Sequence, residues 1–71
     1  MTTKERILEE ALGLFSQNGY DGTSMEQIAE LVGIKAPSLY KHFKGKEDIF
    51  NTLLDIAEKR YDENFGSADN V

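Results

Sequence analysis

Between Leu31 and Lys46 the chain sets Lys35, Lys41, Lys44 and Lys46 among Ser38, Tyr40 and His42, with no acid in the interval. Ammonium groups at that density neutralise phosphate. The hydroxyls and the imidazole between them can hydrogen-bond to phosphate oxygens or to the edges of bases. The chemistry on offer is recognition of a polyanion rather than the making of bonds. Catalysis needs a nucleophile, a base and an orienting group in a defined constellation. The single histidine, His42, has no Ser, Cys or carboxylate arranged around it in the pattern, and Gly19 to Gly22 is too sparse for a phosphate-binding loop. With no cysteine there is no thiolate metal site and no disulfide, and one histidine leaves too few ligands for structural zinc. No catalytic residue, cofactor or metal is expected.

The net charge of −5 conceals this patch: the interval carries +4, so the remainder carries −9. An acidic protein can still bind phosphate through a local cluster, because charges more than about 8 Å apart are largely screened at physiological salt. A basic run can also be no more than a solvated face, so the elements that carry it decide between the two readings.

Those elements read as two helices joined by a short turn. Ser24 followed by Gln27 has capping-box spacing, and Ile28, Ala29 and Val32 then repeat at helical period, which starts a helix near Met25. Gly33 supplies the left-handed residue that stops it. Ile34 returns to the core. Pro37 suits the first turn of a second helix, where its missing N–H costs no intrahelical bond, and Leu39 and Phe43 point inward four residues apart. Small Ala29 lies where the two helices would cross. Two helices joined through a three- or four-residue turn containing Gly form the unit that lays its second helix in the major groove of DNA. The pattern alone also fits a helical hairpin within another all-α domain.

Seventy-one residues make one domain at most, and a chain of that size buries only about 60% of the surface it exposes when unfolded. The core must therefore be thin and held by packing alone. No apolar run approaches the roughly 18 residues of a membrane span, and the charged N-terminus MTTKERI is unlike a signal peptide, so the cytoplasm is the expected location. A first helix begins at the Thr2 and Glu5 capping-box pair, carries Ile7, Leu8, Ala11, Leu14 and Phe15 on one face, and stops at Gly19; Glu9 and Glu10 face solvent. Tyr20 folds back on the core ahead of an exposed Asp21 and Gly22 turn. Gly13 marks either a close helix approach or nothing. After a break at Lys44 and Gly45, a fourth helix opens at Lys46, Glu47 and Asp48. Its apolar positions run through Ile49, Phe50, Leu53, Leu54, Ile56, Ala57, Tyr61 and Phe65, leaving GSADNV at 66–71 as a loop or disordered tail. The distal part, from Ile56 to Phe65, outreaches three short helices and offers a surface for a second domain or a partner helix, unless it is ordinary exposure near a terminus.

The sequence resembles the N-terminal DNA-binding domain of the TetR/AcrR family of bacterial transcriptional regulators. The match is carried by Ala11 with Leu14 and Phe15, Gly19-Tyr20, Thr23-Ser24, Ile28-Ala29, Gly33-Ile34, Ser38 to Phe43, Lys46-Glu47 and Ile49-Phe50. It covers residues 4 to 65, and LYKHFKGKEDIF is its most specific block. The resemblance implies an all-α, homeodomain-like three-helix helix-turn-helix domain over 1–45. A linking helix over 46–65 would lead to a C-terminal domain that binds a small-molecule effector and forms the dimer. It implies a palindromic double-stranded DNA operator, a homodimer when full length, and a fragment that is monomeric on its own. Base edges would meet Lys35, Ala36, Pro37 and Ser38; phosphates would meet Ser24, Tyr40, Lys41, His42 and Lys46. For His42 a structural hydrogen bond, and for Tyr40 packing beside Phe43, compete with those roles. Lys35 departs from the Ser or Thr cap common in the family, and Gly45 from a frequent Ser, Asn or Asp. The other class left open is a protein-interaction module using the apolar face of helix 46–65; an enzyme finds no support in the pattern.

Overall fold

The computed structural model describes the backbone of residues 2–69 and the side chains of residues 2–60. Four helices follow one another in the order α1 (Thr3–Asn18), α2 (Met25–Val32), α3 (Ala36–His42) and α4 (Lys46–Asp69), with no strand among the described residues. The start of α1 is the expected capping box: the Thr2 hydroxyl accepts from the Glu5 N–H at 3.1 Å and the Glu5 carboxylate accepts from the Thr2 N–H at 3.1 Å. Its end is Gly19, at φ 78°, whose N–H donates to the Phe15 carbonyl. Glu9 is exposed as expected, whereas Glu10 is half-buried. A Cβ on Gly13 would meet nothing within 4 Å, so no neighbouring helix presses on it. At Gly22 a Cβ would run into the Asn18 carbonyl. The tight return of the chain over the end of α1 therefore requires glycine there.

α2 starts on the second capping box, Ser24 with Gln27, and ends at Gly33, left-handed at φ 86°, ψ 27°. The Gly33 N–H donates to the Ala29 carbonyl at 2.9 Å and the Ile34 N–H to the same oxygen at 3.0 Å. That second bond spans six residues, the Schellman closure, and it aims Ile34 back against the core. Only Gly33, Ile34 and Lys35 separate α2 from α3.

The core is one cluster: Ile7, Leu8 and Ala11 from α1, Met25, Ile28, Ala29 and Val32 from α2, Leu39 and Phe43 from α3 and its exit, and Ile49 from α4. Ala29 is buried, in keeping with close packing of α2 on its neighbours. α3 ends one residue sooner than Phe43, which is extended at φ −139°, ψ 139° yet buried. α4 takes its first turn from Gly45, whose carbonyl accepts from Ile49, while the Asp48 carboxylate accepts the Lys44 N–H at 2.9 Å. Leu53 and Ile56 pack on the core, and Leu54 is exposed. α4 runs through Asp69, overlapping the tail expected at 66–71, because extending an existing helix costs far less than nucleating one. The side chains of Tyr61 and Phe65, and residues 70–71, lie outside the described residues. No helix is long and apolar enough to cross a membrane.

Candidate nucleic-acid interface

α3 has seven residues, too few to stand alone in water, so its placement comes from its anchors. Leu39 is 0% and Phe43 3% exposed on its inner side. On the outer side Lys35, Pro37, Ser38, Tyr40, Lys41 and His42 are exposed, and Ala36 is half-buried. Lys35 holds the N-cap position at φ −84°, ψ 153° without a side-chain cap bond. Pro37 falls in the first turn, and Lys41 and His42 fall in the last, where the Lys41 cation complements the helix dipole. Tyr40 is half accessible, so it is not consumed by the core. One short helix thus turns a row of hydroxyl, imidazole and ammonium groups outward from a fully apolar back.

Two further groups flank this row. Ser24 is exposed, its hydroxyl accepting from the Gln27 N–H at 3.2 Å at the positive end of α2. Lys46 behaves differently from the other lysines of the segment. Its Nζ donates to the Tyr20 carbonyl at 2.7 Å and sits 4.3 Å from the centroid of the Tyr20 ring, and the residue is half-buried. Tyr20 is itself held by Phe15 and Phe50, with ring centroids at 5.5 and 5.2 Å. Among the described residues the one ion pair is the exposed Lys59 to Asp55 contact along α4. The cations of the 31–46 segment are not neutralised by it.

Two features escaped the sequence reading. Lys4, near the start of α1, places its Nζ 5.7 Å from the Phe43 ring centroid and so adds a cation beside the exit of α3. Thr23 is 2% exposed, its hydroxyl donating to the Gly19 carbonyl at 2.9 Å, which ties the end of α1 to the start of α2 just before Ser24. The Thr23 bond is local, spanning four residues, whereas Lys4 and Phe43 meet only after folding. Among the described residues no cluster of His, Cys, Asp or Glu could hold a metal ion.

Residues 7–53 match the family model described as bacterial regulatory proteins, tetR family. The chain is 39% identical over 70 residues to the biofilm operon icaADBC HTH-type negative transcriptional regulator IcaR of Staphylococcus epidermidis, covering 87% of this chain and 38% of that protein. A solved chain from Shewanella sp. PV-4, described as a tetR family transcription regulator, is 41% identical with a TM-score of 0.73 over 76% of this chain and 29% of that one. The fold alone is shared with the fatty acid degradation regulator FadR from Bacillus halodurans, at 23% identity and a TM-score of 0.85 over 99% of this chain and 37% of that one. The chain thus spans less than two-fifths of the length of each of these relatives. With the helix-turn-helix built as described and the family model covering most of it, the chain belongs to the tetR family of bacterial regulatory proteins.

Proposed function

We propose that this chain is the operator-binding part of a transcriptional repressor and reads the major groove of double-stranded DNA with α3. The observation that carries the reading is the two-faced α3: Leu39 and Phe43 buried, Lys35, Pro37 and Ser38 exposed. Lys35, Ala36, Pro37 and Ser38 meet base edges, where Lys suits guanine O6 and N7, Ser donates or accepts, and Ala and Pro touch a thymine methyl. Ser24, Tyr40, Lys41, His42 and Lys46 meet phosphates, and fix register without reading sequence. The repressor sign rests on the negative regulator IcaR of S. epidermidis. A palindromic operator, a homodimer and a small-molecule effector bound outside these 71 residues are the family's arrangement, with α4 as the link and the cytoplasm as the setting. An enzymatic role has no residues to carry it in this reading.

A second reading has an observation of its own. Leu8, Leu12, Leu53, Ile56 and Ala57 line an open groove of about 510 Å³ between α1 and α4, a face suited to protein contact. DNA titration separates the two. Log affinity falls linearly with log salt, and Lys41→Ala lowers the slope by about 0.9 without altering sequence preference, because one phosphate is no longer neutralised. Ser38→Ala changes the preference in a randomised duplex pool. No binding at low salt would leave the protein-contact reading standing alone, and identical preferences for wild type and Ser38→Ala would remove Ser38 from the base-reading set.

A further inference from the structure

We propose that Tyr20 is a positioning residue that holds the Lys46 ammonium ready for DNA phosphate, making one phosphate seat from the α1–α2 turn and the first residue of α4. The proposal rests on the phosphate role of Lys46 and adds to it a partner 26 residues away.

A free lysine is a flexible point charge, and ordering its stem on binding costs affinity. Lys46 has already met that cost. Its ammonium donates to the Tyr20 carbonyl at 2.7 Å and lies 4.3 Å from the centroid of the Tyr20 ring, while its other N–H groups stay free to donate to a phosphate oxygen. The ring cannot swing away. Phe15 approaches it at 5.5 Å and Phe50 at 5.2 Å, and Phe15 and Phe50 meet each other at 5.9 Å, a closed triangle of aromatic contacts between α1, the turn and α4. The carbonyl is fixed as well, for it also accepts the Thr23 N–H at 3.2 Å. Thr23 leads directly into Ser24, so the turn that pins Lys46 also carries the exposed hydroxyl and the N-terminal amides of α2. Tyr20 thereby ties the first residue of α4 to the turn that leads into α2.

The test is a double-mutant cycle on this chain with a short random-sequence duplex as probe, since phosphate contacts do not depend on sequence. Lys46→Met is expected to weaken binding and lower the salt slope by about 0.9. Tyr20→Phe, which keeps ring and carbonyl, leaves binding unchanged. Tyr20→Leu, which keeps apolar bulk but loses the ring face, weakens binding about two- to fivefold, the size of a partly exposed cation–π contact, and has no effect when combined with Lys46→Met. If Tyr20→Leu impairs folding, fluorinated phenylalanines at position 20 retain the shape and drain the ring face; affinity then falls with each added fluorine unless Lys46 is replaced. Effects of Tyr20→Leu and Lys46→Met that multiply independently, or an affinity indifferent to fluorination, would overturn the positioning role. An unchanged salt slope in Lys46→Met would instead overturn the phosphate role beneath it.

Discussion

Lys35→Ser should make the chain more stable and a poorer DNA binder at once. Position 35 has the extended backbone of an N-cap, φ −84° and ψ 153°, yet its side chain caps nothing. A serine there can accept from the amides of the first turn, a change worth about 0.5–2 kcal/mol where it has been measured. The local geometry places the gain in the lower half. Pro37 has no N–H, and the Ser38 N–H already donates to the Lys35 carbonyl at 3.0 Å, so fewer donors await a cap than at an ordinary helix start. A gain of about 0.5–1 kcal/mol would raise the thermal midpoint by roughly 2–8 °C for a domain of this size. Circular dichroism melts measure it. If Lys35 meets a base edge as proposed, the same change removes that cation; loss of a good guanine contact costs about 1–3 kcal/mol and relaxes preference at that base. A midpoint that is unchanged or lower would refute Lys35 as the N-cap of α3. An unchanged affinity and preference would take Lys35 out of the interface.

Three further outcomes test the frame that carries α3. Gly33→Ala places a Cβ on a left-handed residue at φ 86° and is expected to cost about 1–2 kcal/mol; an unchanged urea midpoint would contradict the Schellman closure. Leu39→Ala empties a fully buried site and should cost about 2–5 kcal/mol, a large part of the roughly 4–10 kcal/mol expected for this chain, so the wild-type urea midpoint and the wild-type DNA affinity are lost together. Retention of both would show α3 anchored elsewhere. The Glu5 carboxyl is held below its ordinary 4.5 chiefly by the Thr2 N–H and then by the Thr2 hydroxyl, so its support of the α1 start is present above pH 4.5 and lost as pH falls through the lower folded value. Amide protection in the first turn of α1, taken relative to the intrinsic exchange rate at each pH, should fall over that range in the wild type and not in Glu5→Gln, whose amide oxygen still accepts; equal behaviour of the two would refute the linkage.

Local rules made most of the helix ends legible. The Thr2 and Ser24 capping boxes and the Gly19 and Gly33 stops each depend on a few neighbouring residues, and all four stand where the sequence puts them. The inward pair Leu39 and Phe43 is likewise a matter of spacing, although Phe43 reaches the core from extended backbone just past the helix. What could not be read is what two distant segments do when brought together. The sequence marks Lys46, with Tyr40, as a leading phosphate candidate, but nothing near it announces the Tyr20 carbonyl. Gly22 reads only as a turn residue and Gly13 as a helix glycine with or without a neighbour, yet the first lies against the Asn18 carbonyl and the second against open space. The exposure of Lys35, Pro37 and Ser38 could be anticipated from the inward spacing of Leu39 and Phe43, since a short helix anchored on one side must turn the other to solvent.

The division of labour within α3 has a consequence for how binding preference can vary. Leu39 and Phe43 carry its attachment, and the Gly33 turn sets its entry. Lys35, Pro37 and Ser38 contribute no buried surface to the core cluster, so exchanging Lys35 or Ser38 alters what faces DNA at little cost in packing. Pro37 is the exception, because its fixed φ preorganises the first turn of a helix that lacks a side-chain cap. On the proposed assignment, preference is therefore tunable at 35 and 38, whereas a change at Pro37 would alter the stability of α3 as well. Lys41 is exposed, whereas Lys46 is half-buried and bonded to the Tyr20 carbonyl, so on the proposed assignment Lys41 offers phosphate a mobile charge and Lys46 one already held in place.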